Sequence, residues 1–443
     1  MNEFNRRKFL EGSAGVAAAA SLGVGGAMFT TSANAQSAVT FKPEKGAKLR
    51  VLRWSRFVQG DIDAYMANVK AFTEKTGVEV RVDNENWEDV RPKAAVAANT
   101  GAGPDIILST NDDANLYPDK LLDVTDLAEY LGKKYGGWYP AVQQYLRPDG
   151  KRWIGLGLGA AGSMIVYRKS QIEAVGFKEF PKDTAGYLKL LQALKEKGTP
   201  PGFALGNATG DSLWTNWLMW SHGGKLVDKS NKVVINSPET GKALEYGKQL
   251  YATFIPGTLS WLDPSNNKAF LDGQISVTNN GISIYVAAKN SQDAKMKAMA
   301  DDIYHAAFPV GPVGTPTESH LFFNQMVMKY TKYPNAAKEF LRFMMEREQF
   351  DKWLTGAAGY VAHPLAAYES SPIWTADPKN TAYRDAVKNM RPTGYEGRLG
   401  YASAGAGADF IVANMVAEAI SGSKSPQEAM ERAQKRAERY YKV

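Results

Sequence analysis

The sequence predicts an α/β protein built on a doubly wound sheet, and three observations carry that prediction. Leu49–Trp54 reads as a strand, Val78, Val80 and Val82 alternate as a second, and Asp105–Ser109 is a short apolar third. Between them lie two segments with helical spacing, giving β-α-β-α-β. Such a pattern folds into a parallel sheet with right-handed crossovers, and ligands sit beyond the carboxyl ends of its strands. Those ends hold Trp54-Ser55, Asp83-Asn84-Glu85 and Thr110-Asn111-Asp112-Asp113.

In the first helix Ile62, Tyr65, Met66, Val69 and Phe72 share a face, Asp61 is placed to cap it and Gly77 to end it. The second helix, from about Glu88 to Asn99, stops before Gly101-Ala102-Gly103-Pro104. The second half repeats the style. Strands are expected at Met164–Tyr167, Phe203–Leu205, Ile275–Thr278 and Leu321–Val327, with helices at Thr184–Lys197 and Asn335–Met345. Ser237-Pro238 opens another helix, proline sitting in its first turn, and the tail from Asp409 is helical. Glycine-rich links stand around Gly155–Gly162 and Val310–Gly314.

The 443 residues suffice for two domains of ordinary size. The +7 charge comes from 53 basic and 46 acidic residues spread along the chain, so no nucleic-acid surface is expected. The absence of cysteine removes disulfides, thiolate metal sites and thiol nucleophiles. His222, His305, His320 and His363 form no metal-binding pattern, and no cofactor is expected.

The amino terminus reads as an address. Arg6-Arg7-Lys8-Phe9-Leu10 precedes an uncharged stretch to Phe41, and Ala33-Asn34-Ala35 supplies a small-x-small cleavage site. The paired arginines before Phe-Leu resemble a twin-arginine signal, with Asn5 and Glu11 departing from its usual flanks. Residues 1–35 are therefore expected to be an export signal and the destination the periplasm, with no lipidated cysteine.

Six landmarks in order then carry a family resemblance. They are Gly103-Pro104-Asp105-Ile106, Leu121–Leu127, Asp149–Trp153, Phe270-x-x-Gly273 with Gly281 downstream, Gly359-Tyr360, and Ser425–Ala429. In these the chain resembles the solute-binding proteins of carbohydrate ABC importers, the group that includes maltodextrin-binding proteins. The resemblance implies a two-lobed periplasmic-binding-protein fold with a hinge and a ligand cleft between lobes. It implies one lobe from 36–160 and 307–355 and the other from 161–306 and 356–443. The implied partners are a small carbohydrate or polyol ligand and the permease subunits of an importer, bound by a monomer. Ile282-Ser283 and Thr184-Ala185 stand where the family often has Pro-Trp and Thr-Trp, which puts one stacking aromatic in doubt; Tyr285 is a substitute.

A sugar presents a flat C–H face to aromatic rings and a rim of hydroxyls to carboxylates and amides. Ring candidates are Trp54, Trp214, Trp261 and Tyr360. Polar and backbone candidates are Glu85, Asn111, Asp112, Gly162, Ser163, Asn280 and Gly281. Two other readings compete. One keeps the fold and binds a polyamine, metal or anion. The other is a secreted glycoside-active enzyme, for which no sequence feature pairs two carboxylates; the chain has no GxSxG and no Walker loop.

Overall fold

A computed structural model describes residues 40–55 and 57–442; the expected export signal lies outside the described residues. Two sheets organise the chain. The first has the order β2-β1-β3-β8-β4 and the second β6-β5-β7. The strands are β1 Lys48–Trp54, β2 Glu79–Glu85, β3 Ile106–Thr110, β4 Leu156–Ala161, β5 Met164–Arg168, β6 Val277–Asn280, β7 Ile303–Ala306 and β8 Leu321–Val327.

The opening β-α-β-α-β stands as the sequence predicts. β1 pairs in parallel with β2, Trp54 opposite Glu85, and with β3, Val51 opposite Ile106. α1 (Gln59–Thr76) and α2 (Trp87–Thr100) make the crossovers, and left-handed Gly77 and Gly101 end them. Beyond β3 the pairing turns antiparallel, through β8 to β4. Asp61 does not cap α1. It lies in the first turn, fully buried, and accepts from Arg53 Nη2 at 2.5 Å, Trp54 Nε1 at 3.1 Å and Trp353 Nε1 at 2.7 Å. A carboxylate with those three donors is worth more to the fold in the core than at a solvated helix end.

The second sheet is wholly antiparallel. Phe203–Leu205, expected as a strand, is buried extended chain outside any ladder. Its backbone is met singly, Gly202 N–H by Val277 O and Leu205 N–H by Thr258 O. A separate core gathers here, with Trp214, Trp217 and Trp220 inside it.

The chain passes between the sheets by short crossings. β4 leads to β5 through Gly162-Ser163 alone, and Ser163 N–H donates to His320 Nδ1 at 2.8 Å, so the crossing before β8 runs beside it. In β4, Gly159 (φ 144°) sits at a register shift where an added Cβ would lie 1.9 Å from Ala362 O; only glycine fits. The expected link Val310–Gly314 is not the crossing. Val310 and Val313 N–H bond Lys182 O and Ser221 O, which pins it to the helices around the second sheet. Beyond the expected junction at 355/356 the chain still meets the first sheet and its helices, Ala362 pairing with Ala160 of β4 and Leu365 with Trp138.

Candidate functional site

The carboxyl ends of β1, β2 and β3 face the turns of the second lobe, and three small cavities lie along that seam. The first, about 30 Å³, is walled by Phe57, Trp87, Leu321 and Tyr360 on one side and by Ser163, Asp211, Asp263, Asn280 and Gly281 on the other. Trp87 also walls the second, about 170 Å³, with Glu88, Arg91, Ser109, Asn207, Thr209 and Phe410. The third, about 60 Å³, holds Asn111, Asp112, Asn216, Ser403 and Phe410. A wider surface groove of about 790 Å³ between Pro140–Gly150 and Lys388–Leu399 lies apart from the strand ends.

Trp87 opens α2 directly after the β2 turn. Its ring stacks on Trp54 at 4.9 Å and 16°, and on Phe323 at 5.2 Å. Its side chain also hydrogen-bonds Tyr360, whose ring lies parallel to Phe57 at 6.1 Å and 12°. Burial and the nearby carboxylates of Asp61 and Asp263 push the Tyr360 hydroxyl well above its usual range.

The opposite wall is polar. The Asp263 carboxylate accepts from the backbone N–H groups of Thr209, Gly210 and Asp211 at 2.8–2.9 Å, holding that turn against the cavity. Burial nevertheless raises Asp263 to about 6. Asp211, beside it, is raised well above the carboxylate range by burial and then by Asp263, against a bond from Asn266. Asn280 donates to Asn267 and accepts from Ser283 at 3.0 Å; Ser163 Oγ accepts from Asn279 at 3.1 Å. Among the described residues no group of three His, Cys, Asp or Glu could hold a metal ion.

Of the residues expected from sequence, Gly162, Ser163, Asn280, Gly281 and Tyr360 meet in the first cavity, and Asn111 and Asp112 line the third. Asn111 is left-handed (φ 45°) and is bonded to β8 through both its backbone and its side chain. Asp112 accepts from Ser403 at 2.5 Å, a contact between residues 291 apart in the chain.

The tryptophan expectations need correction. Trp54 is 1 % exposed and stands behind Trp87, because the strand ends one ring short of the cleft. Trp214 is core: its indole donates to Ala204 O at 2.8 Å and packs on Phe203 and Phe254. Trp261 lies over Gly202, outside the lining of the first cavity. Glu85 pairs with Lys93, and Tyr285 donates to Asp377 at 2.6 Å; neither lines any of these three cavities. The residues missed are Phe57, Trp87, Asp211 and Asp263. Trp87 lies just past the strand-end residues read from sequence, and Asp263-Pro264 carries a helix-start signal.

With a polar wall facing an aromatic one across two lobes, sequence comparison decides the family. Residues 67–382 match the bacterial extracellular solute-binding proteins. The chain belongs to that family. Residues 3–23 match the twin-arginine translocation signal, and this family member is exported to the periplasm. No helix among the described residues is long and apolar enough to cross a membrane. The diacetylchitobiose binding protein DasA of Streptomyces coelicolor is 24% identical over 309 residues, 67% of this chain and 69% of that protein. A sugar transporter from Arthrobacter chlorophenolicus A6 with bound laminaribiose has the same two-lobed fold. Its TM-score is 0.77 at 16% identity, over 89% of this chain and 99% of that one. An ABC transporter solute binding protein from Agrobacterium radiobacter K84, in complex with ribitol, matches at TM-score 0.74 and 18% identity, over 90% and 100%.

Proposed function

We propose that this protein binds a sugar or polyol between its lobes and delivers it to the permease subunits of an ABC importer. The observation that carries the reading is the first cavity, where Trp87, Phe57 and Tyr360 face Asp211, Asn280 and Ser163. Rings on one side suit a C–H face, and acceptors and amides on the other suit hydroxyls. Relatives described with laminaribiose, ribitol and diacetylchitobiose support the same ligand class.

In this reading one lobe comprises residues 40–161 and 321–372, and the other 164–314 and 391–442. The segments 315–320 and 373–390 join them beside Gly162-Ser163, where closure bends the chain. The protein acts as a monomer and turns nothing over.

Calorimetry against pentitols, hexitols, monosaccharides and disaccharides, with spermidine alongside, tests the reading. Saturable binding to at least one hydroxylated ligand is expected, with a smaller radius of gyration by X-ray scattering when bound. Binding of spermidine alone, or sustained product release from glycosides, sinks it.

A further inference from the structure

The second-lobe wall of the first cavity carries two carboxylates, Asp211 and Asp263, and none of the described residues lining that cavity is Lys, Arg or His. Three cations on neighbouring described elements are engaged. Arg53 pairs with Asp61 at 2.5 Å, Arg91 with Asp113 at 2.8 Å, and Lys93 with Glu85. Asp263 spends its acceptors on three backbone N–H groups. Asp211 has a bond from the Asn266 side chain and stands against a like charge. Beside it, the fully buried Asn279 bonds the Asp211 carbonyl and Ser163 Oγ through Nδ2, while its Oδ1 has no partner. Among the described residues the wall is thus rich in acceptors and carries no positive charge.

We propose that Asp211 is a specificity-determining residue, selecting a hydroxylated ligand that carries a protonated amine, an amino sugar or amino polyol, over its neutral counterpart. The inference rests on the sugar or polyol reading of this cleft. An ammonium brings up to three donors and the missing charge in one group. The faces of Trp87, Tyr360 and Phe57 across the cavity are themselves attractive to a cation. A neutral sugar offers donors without charge, so closing the lobes over it leaves two buried carboxylates, one of which must take up a proton.

The test is calorimetry with glucosamine, galactosamine, glucose, galactose, sorbitol and spermidine, run in two buffers of different ionisation enthalpy. An amino sugar should bind about tenfold or more tightly than its neutral counterpart, with no net proton uptake. Asp211→Asn should bring the two affinities together. If neutral ligands bind as tightly, or bind with uptake of about one proton, the inference falls and the sugar or polyol reading stands. Spermidine binding alone overturns both. Failure of both amino sugars to bind while a neutral sugar or polyol binds, or failure of all six to bind, also overturns the inference. The wild-type series and its proton count decide the matter even if the variant does not fold.

Discussion

The two walls of the cleft are held in different ways. On the first lobe, rings are held by rings: Trp87 rests on Trp54 and Phe323, and Tyr360 on Phe57. That wall is the outer surface of the hydrophobic core. On the second lobe the groups are held by hydrogen bonds, above all the three that Asp263 accepts. An aromatic wall of this kind tolerates loss of its outermost ring, because the layer behind stays packed. A polar wall hung on one carboxylate does not. Inner and outer rings should therefore separate cleanly in mutation, whereas the polar wall should lose shape and binding together.

The largest effect is expected for a ring of the core around the second sheet. Trp214→Ala removes a side chain 2 % exposed, its bond to Ala204 O and its packing on Phe203 and Phe254. It should cost about 3–5 kcal/mol in urea unfolding, with ligand affinity of the folded fraction little changed. A variant that stays stable but binds poorly would move Trp214 from the core to the site.

Asp263→Ala comes next. It strips the acceptor from the amides of residues 209–211 in a buried turn. A loss of about 2–3 kcal/mol in stability is expected, together with most of the ligand affinity. Normal binding by this variant would show that the turn is held by other means and that the contrast between the walls is overdrawn. Trp87→Ala should do the reverse of Trp214→Ala. Affinity should fall by about 1–3 kcal/mol, roughly tenfold to 100-fold, with little change in the melting temperature of the free protein. Early melting with normal binding would make Trp87 another core ring.

This contrast explains what was legible in the sequence. Strand and helix periods located the first sheet because its strands alternate locally, as where buried Val78 and half-buried Val80 and Val82 alternate with exposed Glu79 and Arg81. Gly162, Ser163, Asn280 and Gly281 were found because landmark glycines and asparagines mark turns at strand ends. The tryptophans misled because period and composition do not reveal depth. Trp54 and Trp87 stack face to face, yet only Trp87 lines the cavity. Asp211 and Asp263 lie 52 residues apart and meet only after the second lobe has folded. Asp61 looked like a cap because its three partners, Arg53, Trp54 and Trp353, include one 292 residues away.

The smallest effect is expected where the two lobes touch without a ligand between them. Asp112 is 2 % exposed and accepts from Ser403 across the seam. Burial raises it to about 6; the Ser403 bond lowers it, and neighbouring Asp113 raises it again. A carboxyl with a higher pKa in the folded chain than in the unfolded one holds its proton better when folded. Its contribution is present in full below the unfolded value near 3.8 and is lost as pH rises through about 6. The difference is on the order of 3 kcal/mol. An asparagine is neutral throughout and still offers Ser403 an acceptor. Asp112→Asn should therefore leave stability at about pH 4 nearly unchanged. At neutral pH it should raise the melting temperature by a few degrees, flattening the profile between those limits. Because the contact joins the lobes, the same flattening should appear in the pH dependence of ligand affinity. If it appears in stability alone, Asp112 and Ser403 stay together when the cleft opens. If the profile is unchanged in both, another group along the seam titrates in that window, and Asp263, raised in the same direction, is the one to replace next.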